Sequence, residues 1–410
     1  MKTMKKALAL LLATVMVLAL AACGGGNNTP APAADSGSST TTTTGGGETA
    51  TTGGGETATT GGVESPVAGK KIAYIMLMTP ATIFNMWSDE FTKTANALGM
   101  QADTFFCSDN ADTWKTTIET CAQSGYDGLM VSHGGQEYAW SFLSDILKQY
   151  PDLKIVTFDT PFKDANGNVQ KIDGVTQFFQ QDAGFAKTLV EQLIELNPGK
   201  KPVRILQVQQ GQGYNSPFDR RQVGYQPFLD DGSIVNVERI APIDDQNATN
   251  SMRDVTAATL AKYNDTADID GIWCCYDAYA QGVYQALKEA NSQIPMVSVD
   301  ISNEDINCMA EGTNWKACAT TNWTSNGEFA CRVLACELAG DYDAIANASC
   351  YYADPGAWME IPSTVITQEM VMSKPGVNIE NLDEVAPDSY KDRTWMPTTD
   401  WMDALLGPLT

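Results

Sequence analysis

Four stretches of this sequence end an apolar run and at once present groups that could do chemistry: Ser132-His133-Gly134, Phe158-Asp159-Thr160, Cys275-Tyr276-Asp277 and Val299-Asp300. A fifth, Thr79 to Trp87, follows the first apolar run and carries Phe84, Asn85 and Trp87. Aromatic rings mixed with carboxylates and amides suit a neutral polyol. The C–H faces of a sugar ring stack on Trp, Phe or Tyr, and its hydroxyl rim pairs with planar groups that accept and donate at once. A plainer reading competes at each position, because an aromatic at a helix start often packs in a core and an Asp after a strand often caps a helix.

Catalytic readings have less support. His133 is the single His, and no Gly-x-Ser-x-Gly elbow or comparable nucleophile accompanies it. Asp159 and Asp300 are the residue types of a glycosidase pair, yet binding proteins use the same carboxylates as hydroxyl acceptors. No Walker A or GxGxxG fingerprint follows the first strand, so no nucleotide cofactor is expected. The segment Asp164 to Gln170 (DANGNVQ) alternates like a calcium loop but holds one charged ligand, and its Asn166-Gly167 predicts a hairpin turn. No metal and no other cofactor is expected.

Regular alternation supplies the elements that must position these groups. Strands are expected at Lys71–Leu77, Gln101–Phe106, Gly128–Ser132, Lys154–Phe158, Val203–Val208, Ile234–Ile240, Gly271–Cys275 and Met296–Val299. Between them, helices are expected near Phe84–Leu98, Asp112–Ser124, Tyr138–Gln149, Asp182–Leu196, Phe218–Leu229, Ala248–Lys262 and Ala278–Ala290. Near-continuous apolar strands separated by helices predict an α/β fold of two doubly wound parallel sheets covered on both faces. In such sheets ligands sit beyond the carboxyl ends of the strands, where the candidate residues lie.

The 410 residues carry 26 Lys and Arg against 50 Asp and Glu, a formal net charge of −24, and 43% are hydrophobic. That composition supports a sizeable core in two domains. A surface this acidic repels phosphate backbones and anionic headgroups, so no nucleic-acid partner is expected. Lys2, Lys5 and Lys6 precede an apolar stretch too short for a comfortable membrane span, ending in Leu20-Ala21-Ala22-Cys23. This junction resembles the lipobox of bacterial lipoproteins, which implies a signal peptide over 1–22, lipidation at Cys23 and attachment to the membrane through the lipid alone. Residues 23–69 are rich in Gly, Thr and Ser, repeat TTGGGETA twice, and read as a flexible tether reaching roughly 35–40 Å. Nine further cysteines show no zinc spacing and read mainly as scattered thiols, with one or two disulfides between Cys308 and Cys350 left open.

The runs KKIAYIMLMTPATIFNMWSDEFTKTANALG, YDGLMVSH, KIVTFDT, DRRQVGYQPFL, IDGIWCCYDAYAQGVYQAL and IPMVSVDI, in this order from Lys70 to about Leu338, resemble the type I periplasmic sugar-binding proteins of ABC transporters, the ribose-binding group. The resemblance implies two lobes joined by three crossovers that close on one monosaccharide. It implies ligand contacts from Phe84, Asn85, Trp87, His133, Asp159, Tyr276, Asp277 and Asp300, from Arg220 or Arg221, and from Asn322 and Trp323 near a crossover. Thr160 stands where an Arg often follows the fourth-strand Asp. The implied lobes are 70–177 plus 323–355 and 178–322 plus 356–410. Trp358, Trp395 and Trp401 of the tail read as packing over the lobes rather than as an interaction surface. The expected protein is a monomeric, non-enzymatic solute receptor on the outer face of the cell membrane, handing a small neutral sugar to an ABC permease. Alternatives of the same plan are a receptor for a sensor kinase and a binder of a nucleoside or autoinducer; an extracellular glycosidase ranks below them.

Overall fold

A computed structural model describes residues 62–353 and 358–410. The signal peptide, Cys23 and most of the expected tether lie outside these residues. Thirteen strands are present among them: β1 Lys71–Met76, β2 Gln101–Phe106, β3 Gly128–Ser132, β4 Lys154–Phe158, β5 Val175–Gln180, β6 Val203–Val208, β7 Ile234–Ile240, β8 Gly271–Cys274, β9 Met296–Val299, β10 Trp315–Thr320, β11 Tyr351–Tyr352, β12 Trp358–Ile361 and β13 Thr364–Thr367. They form a seven-stranded sheet of order β11-β12-β5-β4-β3-β1-β2 and a six-stranded sheet of order β13-β10-β9-β8-β6-β7. Neighbours pair in parallel except β11 with β12 and β10 with β13. Apolar residues fill β3, β4, β8 and β9 almost without interruption because helices cover both faces of each sheet.

The expected strands and helices are all present, with ends shifted by no more than two residues. The chain passes between the sheets after β5, after β10 and between β12 and β13. These crossings move the expected lobe boundaries. Strand β5 pairs along β4, so the first crossing follows Gln180 instead of residue 177. Strand β12 pairs with β5, so residues 358–361 belong to the first lobe, not the second.

Two further expectations are corrected. The folded body begins before Lys70: Val67 lies in the core, Ser65 Oγ donates to Leu98 O at 2.7 Å and Gly69 N donates to Gly99 O at 2.8 Å. The tail does not stay on the second lobe. Its far end returns to the first, where Arg393 and the fully buried Arg332 both donate to Glu328, Arg332 also reaches Thr398, and Trp401 Nε1 donates to Asp341 at 2.8 Å. A buried guanidinium needs acceptors on several sides, and the tail supplies one of them.

The nine described cysteines are unpaired thiols, all buried except the partly exposed Cys308. In the Asp164–Gln170 loop the carboxylate accepts from Asn166 N, Asn168 N, Asn168 Nδ2 and Gln170 Nε2, so its oxygens are taken up by the turn itself.

Candidate functional site

Three of the strand ends share a conformation that L residues rarely adopt. His133 after β3, Asp159 after β4 and Asp300 after β9 have φ of +60°, +41° and +69°. Left-handed backbone at non-glycine residues costs energy and persists where the surrounding structure holds it, and it clusters at functional sites. Here it turns three polar side chains out of the strands into one cleft of about 750 Å³ between the lobes.

The first lobe contributes Phe84, His133, Asp159, Gln180 and Trp323 to the cleft wall; the second contributes Arg221, Tyr276, Asp277, Asp300 and Phe218. Phe84 sits at the start of the helix Thr82–Ala97 and meets His133 and Trp323 edge-on, at ring separations of 5.8 and 6.4 Å. Ser132 Oγ contacts His133 Nδ1 at 2.5 Å. Burial lowers the His133 pKa, so the ring is a neutral donor and acceptor at physiological pH.

The charged groups form one continuous chain. Asp159 accepts from Arg220 Nη2 at 2.7 Å, Arg220 Nε donates to Asp182 at 2.8 Å, Arg221 Nε donates to the other oxygen of Asp182 at 2.8 Å, and Arg221 Nη2 reaches Asp300 at 3.3 Å. Arg221 also donates to the Cys275 carbonyl, and the Arg220 guanidinium lies over the Phe179 ring at 4.7 Å. Burial works to raise the Asp159 carboxyl, but Arg220 and then His133 outweigh it and hold it below its usual value. Asp300 goes the other way, raised by burial that the Arg221 contact only partly offsets. Burial, and then the facing carboxylates Asp305 and Asp300, push Asp277 well above its usual range. The cleft therefore sets one carboxyl held below its usual value beside two raised above theirs, next to His133 and Arg221, a set that can accept from and donate to hydroxyls.

The helix Ser216–Asp230 carries both arginines and can do so because of Gly224. A Cβ there would stand 1.9 Å from the Ala183 carbonyl oxygen, so only glycine lets this helix lie against the helix Asp182–Glu195 that bears Asp182. Gly327 has the same role where the helix Trp323–Ala339 crosses the helix Thr82–Ala97, with a Cβ contact of 2.3 Å to Trp87 O.

Four sequence candidates do not line the cleft. Trp87 is 0% exposed, packed against Phe158 at 4.5 Å and against Tyr74 and Trp323, because its place on the helix faces the sheet instead of the cleft. Asn85 lies on that helix exposed and away from the cleft wall. The Asn322 side chain caps the helix Trp323–Ala339 by accepting from Ser325 N, and it donates to Tyr390 O. Arg220 does not itself line the cleft but orders Asp159, which does.

The cleft between two three-crossover lobes accompanies a family match: residues 72–341 match the family described as periplasmic binding protein domain. The chain belongs to that family. Its structure is similar to a sugar ABC transporter protein from Yersinia enterocolitica subsp. enterocolitica 8081, with 25% identity and a TM-score of 0.64 over 85% of this chain and 98% of that one. Two more distant likenesses show the fold. The 5-methylthioribose transporter solute binding protein from Thermotoga lettingae TMO is 18% identical, TM-score 0.63, covering 84% and 97% of the two chains. The periplasmic ribose ABC transporter protein from Conexibacter woesei DSM 14684 is 14% identical, TM-score 0.63, covering 78% and 99%. No curated protein matches.

In this periplasmic binding protein, no helix among the described residues is long and apolar enough to cross a membrane. Its cleft also contains residues that sequence reasoning missed. Gln180, 8% exposed at the end of β5, lines the cleft with Nε2 lacking a hydrogen-bond partner; the expected Trp323, 4% exposed, also lines it and leaves Nε1 likewise unpartnered. Tyr214, Phe218 and Tyr279 extend the aromatic wall. The strand VTQFFQ mixes Thr and Gln with Val and Phe, so nothing in its pattern singled out Gln180.

Proposed function

We propose that the chain is an extracytoplasmic solute receptor that captures a sugar or polyol between its lobes and delivers it to an ABC permease, without catalysing a reaction. The cleft that both lobes line with aromatic rings and with Asp159, Asp277, Asp300, His133 and Arg221 carries this reading. Phe84 and Trp323 supply ring faces for the sugar's C–H surface, while Asp159, Asp300, Asp277, His133 and Arg221 meet its hydroxyls from both lobes. Because the contacts come from both sides, ligand favours the closed arrangement over the open one, and that difference in affinity drives the hinge. A missing hydroxyl would leave buried partners unpaired, which is the source of selectivity.

The lobe division follows the sheets, and lipidation at Cys23 with the Gly/Thr tether would hold the receptor, as a monomer, at the outer membrane surface. The fold's likeness to a sugar ABC transporter protein at 25% identity supports the ligand class. A thermal-shift panel of pentoses, hexoses, deoxy sugars, polyols and nucleosides, with calorimetry on each hit, tests the reading. A shift from a compound that carries a sugar or polyol supports it; no shift from this panel or from di- and aryl glycosides sinks it.

A further inference from the structure

The carboxyl edge of the second sheet is graded. Its strand ends change from a carboxylate, Asp300 after β9, to aromatic rings, Tyr276 after β8 and Tyr214 in the loop after β6, and these strands are neighbours in the sheet. Tyr214, Phe218, Tyr276 and Tyr279 form one connected wall. Tyr214 stacks on Phe218 at 5.7 Å and 16°, Phe218 meets Tyr276 at 6.1 Å and Tyr279 at 5.9 Å, and Tyr276 meets Tyr279 edge-on at 5.5 Å. The inner pair, Phe218 and Tyr279, is buried. Tyr279 is steadied by a contact of its hydroxyl with Asp245, which Gln210 also holds at 2.9 Å. The outer pair remains open, with Tyr214 46% and Tyr276 38% exposed, and both line the cleft.

A single sugar ring has two faces, and the opposite lobe already offers Phe84 and Trp323 beside the polar groups that would meet its hydroxyls. Two further open rings on a rigid base exceed what one monosaccharide can cover. We propose that the ligand is a sugar joined to a second ring with an apolar face, the sugar lying at the Asp159–Asp300 end and the second ring stacking on Tyr214 and Tyr276. This rests on the sugar-binding reading. A volume of about 750 Å³ places the cleft among sites that take ligands larger than one small ring, and offset or edge-on stacking is the geometry such aromatic walls favour. The second ring could be a nucleobase, an aryl aglycone or another sugar, which share an apolar face.

Calorimetry on the full-length protein separates these. The probes are D-ribose, D-glucose and D-galactose; adenosine and uridine; phenyl β-D-glucoside and phenyl β-D-galactoside; and cellobiose and lactose. The expected result is at least tenfold tighter binding of one ring-bearing compound than of its parent sugar, with the class that binds naming the second ring. In Tyr214→Ala the ratio of the two affinities should fall toward one, and in Tyr214→Phe, which keeps the ring, it should persist. Parent sugars binding as tightly as every derivative, or an advantage that survives Tyr214→Ala, overturns the inference and leaves the sugar reading standing. Binding by none of the compounds overturns both.

Discussion

Arg220 and Asp159 belong to different lobes, yet Arg220 Nη2 donates to Asp159 Oδ1 at 2.7 Å. The same guanidinium is braced by Asp182 beneath it and by Ser216 on its own helix. The pair is thus a direct electrostatic link across the cleft, made at the carboxylate expected to meet a ligand hydroxyl. Asp159→Asn keeps the shape and removes the charge. Its expected effect is at least tenfold weaker ligand binding by calorimetry, with stability lowered by no more than about 3 kcal/mol because Arg220 keeps Asp182. An unchanged dissociation constant would remove Asp159 from the site.

Phe84 and Trp87 are one turn apart on a helix and have different fates. Trp87 is enclosed by Tyr74, Phe158 and Trp323, so Trp87→Ala should lower stability by about 3–5 kcal/mol in urea titration. Phe84 lies half-buried on the cleft wall, so Phe84→Ala should weaken binding with a much smaller stability loss. The reverse ranking would mean that the helix presents its other face to the ligand.

Gly224→Ala tests how the arginines are positioned. The added carbon meets the Ala183 carbonyl at 1.9 Å, so the two helices must part and draw Arg220 and Arg221 from Asp182. Overpacking of this kind typically costs about 1–3 kcal/mol. The expected outcome is that cost in urea titration together with lost ligand binding; wild-type affinity in a folded variant would show that the helix pair tolerates separation.

Glu337 predicts a dependence of stability on pH. It is buried, accepts from Thr176 N at 2.9 Å through one oxygen, and has no partner for the other. Burial pushes its pKa up to about 8 despite the Thr176 hydrogen bond. The folded protein therefore holds this proton more tightly than the unfolded chain. The contribution is fully present below the ordinary carboxylate pKa and is lost as pH rises from there through about 8, at no more than about 1.4 kcal/mol per pH unit. Melting temperatures of the wild type should fall across pH 5 to 8, and Glu337→Gln should flatten that slope; an equal slope in both would refute the assignment.

The strands that place His133, Asp159, Tyr276 and Asp300 were legible because each is a short apolar run ended by a polar or aromatic residue, and a doubly wound sheet sends such ends to one crevice. Trp87 was misjudged because helical phase could not separate the core-facing ring from the cleft-facing Phe84, which lies three residues away. Gln180 went unseen since β5 shows no alternation to mark it, and Tyr214 because its loop looks like any polar turn. The tail's return to the first lobe depends on what Arg332 needs once buried, which is a property of the packed molecule and not of any local pattern.

Strand β12 lies between β11 and β5, and the helix Trp323–Ala339 covers the helix Thr82–Ala97 of the first lobe. During synthesis from the amino end, residues 71–180 therefore appear with β5 as a bare edge and an apolar helix face uncovered; the face stays bare until residue 339 and the edge until residue 361 has been made. Long-range pairing of this sort is slow and leaves sticky intermediates. The first-made half of the molecule is the last to be completed, so the nascent chain depends on being held apart from its neighbours until its final fifth arrives.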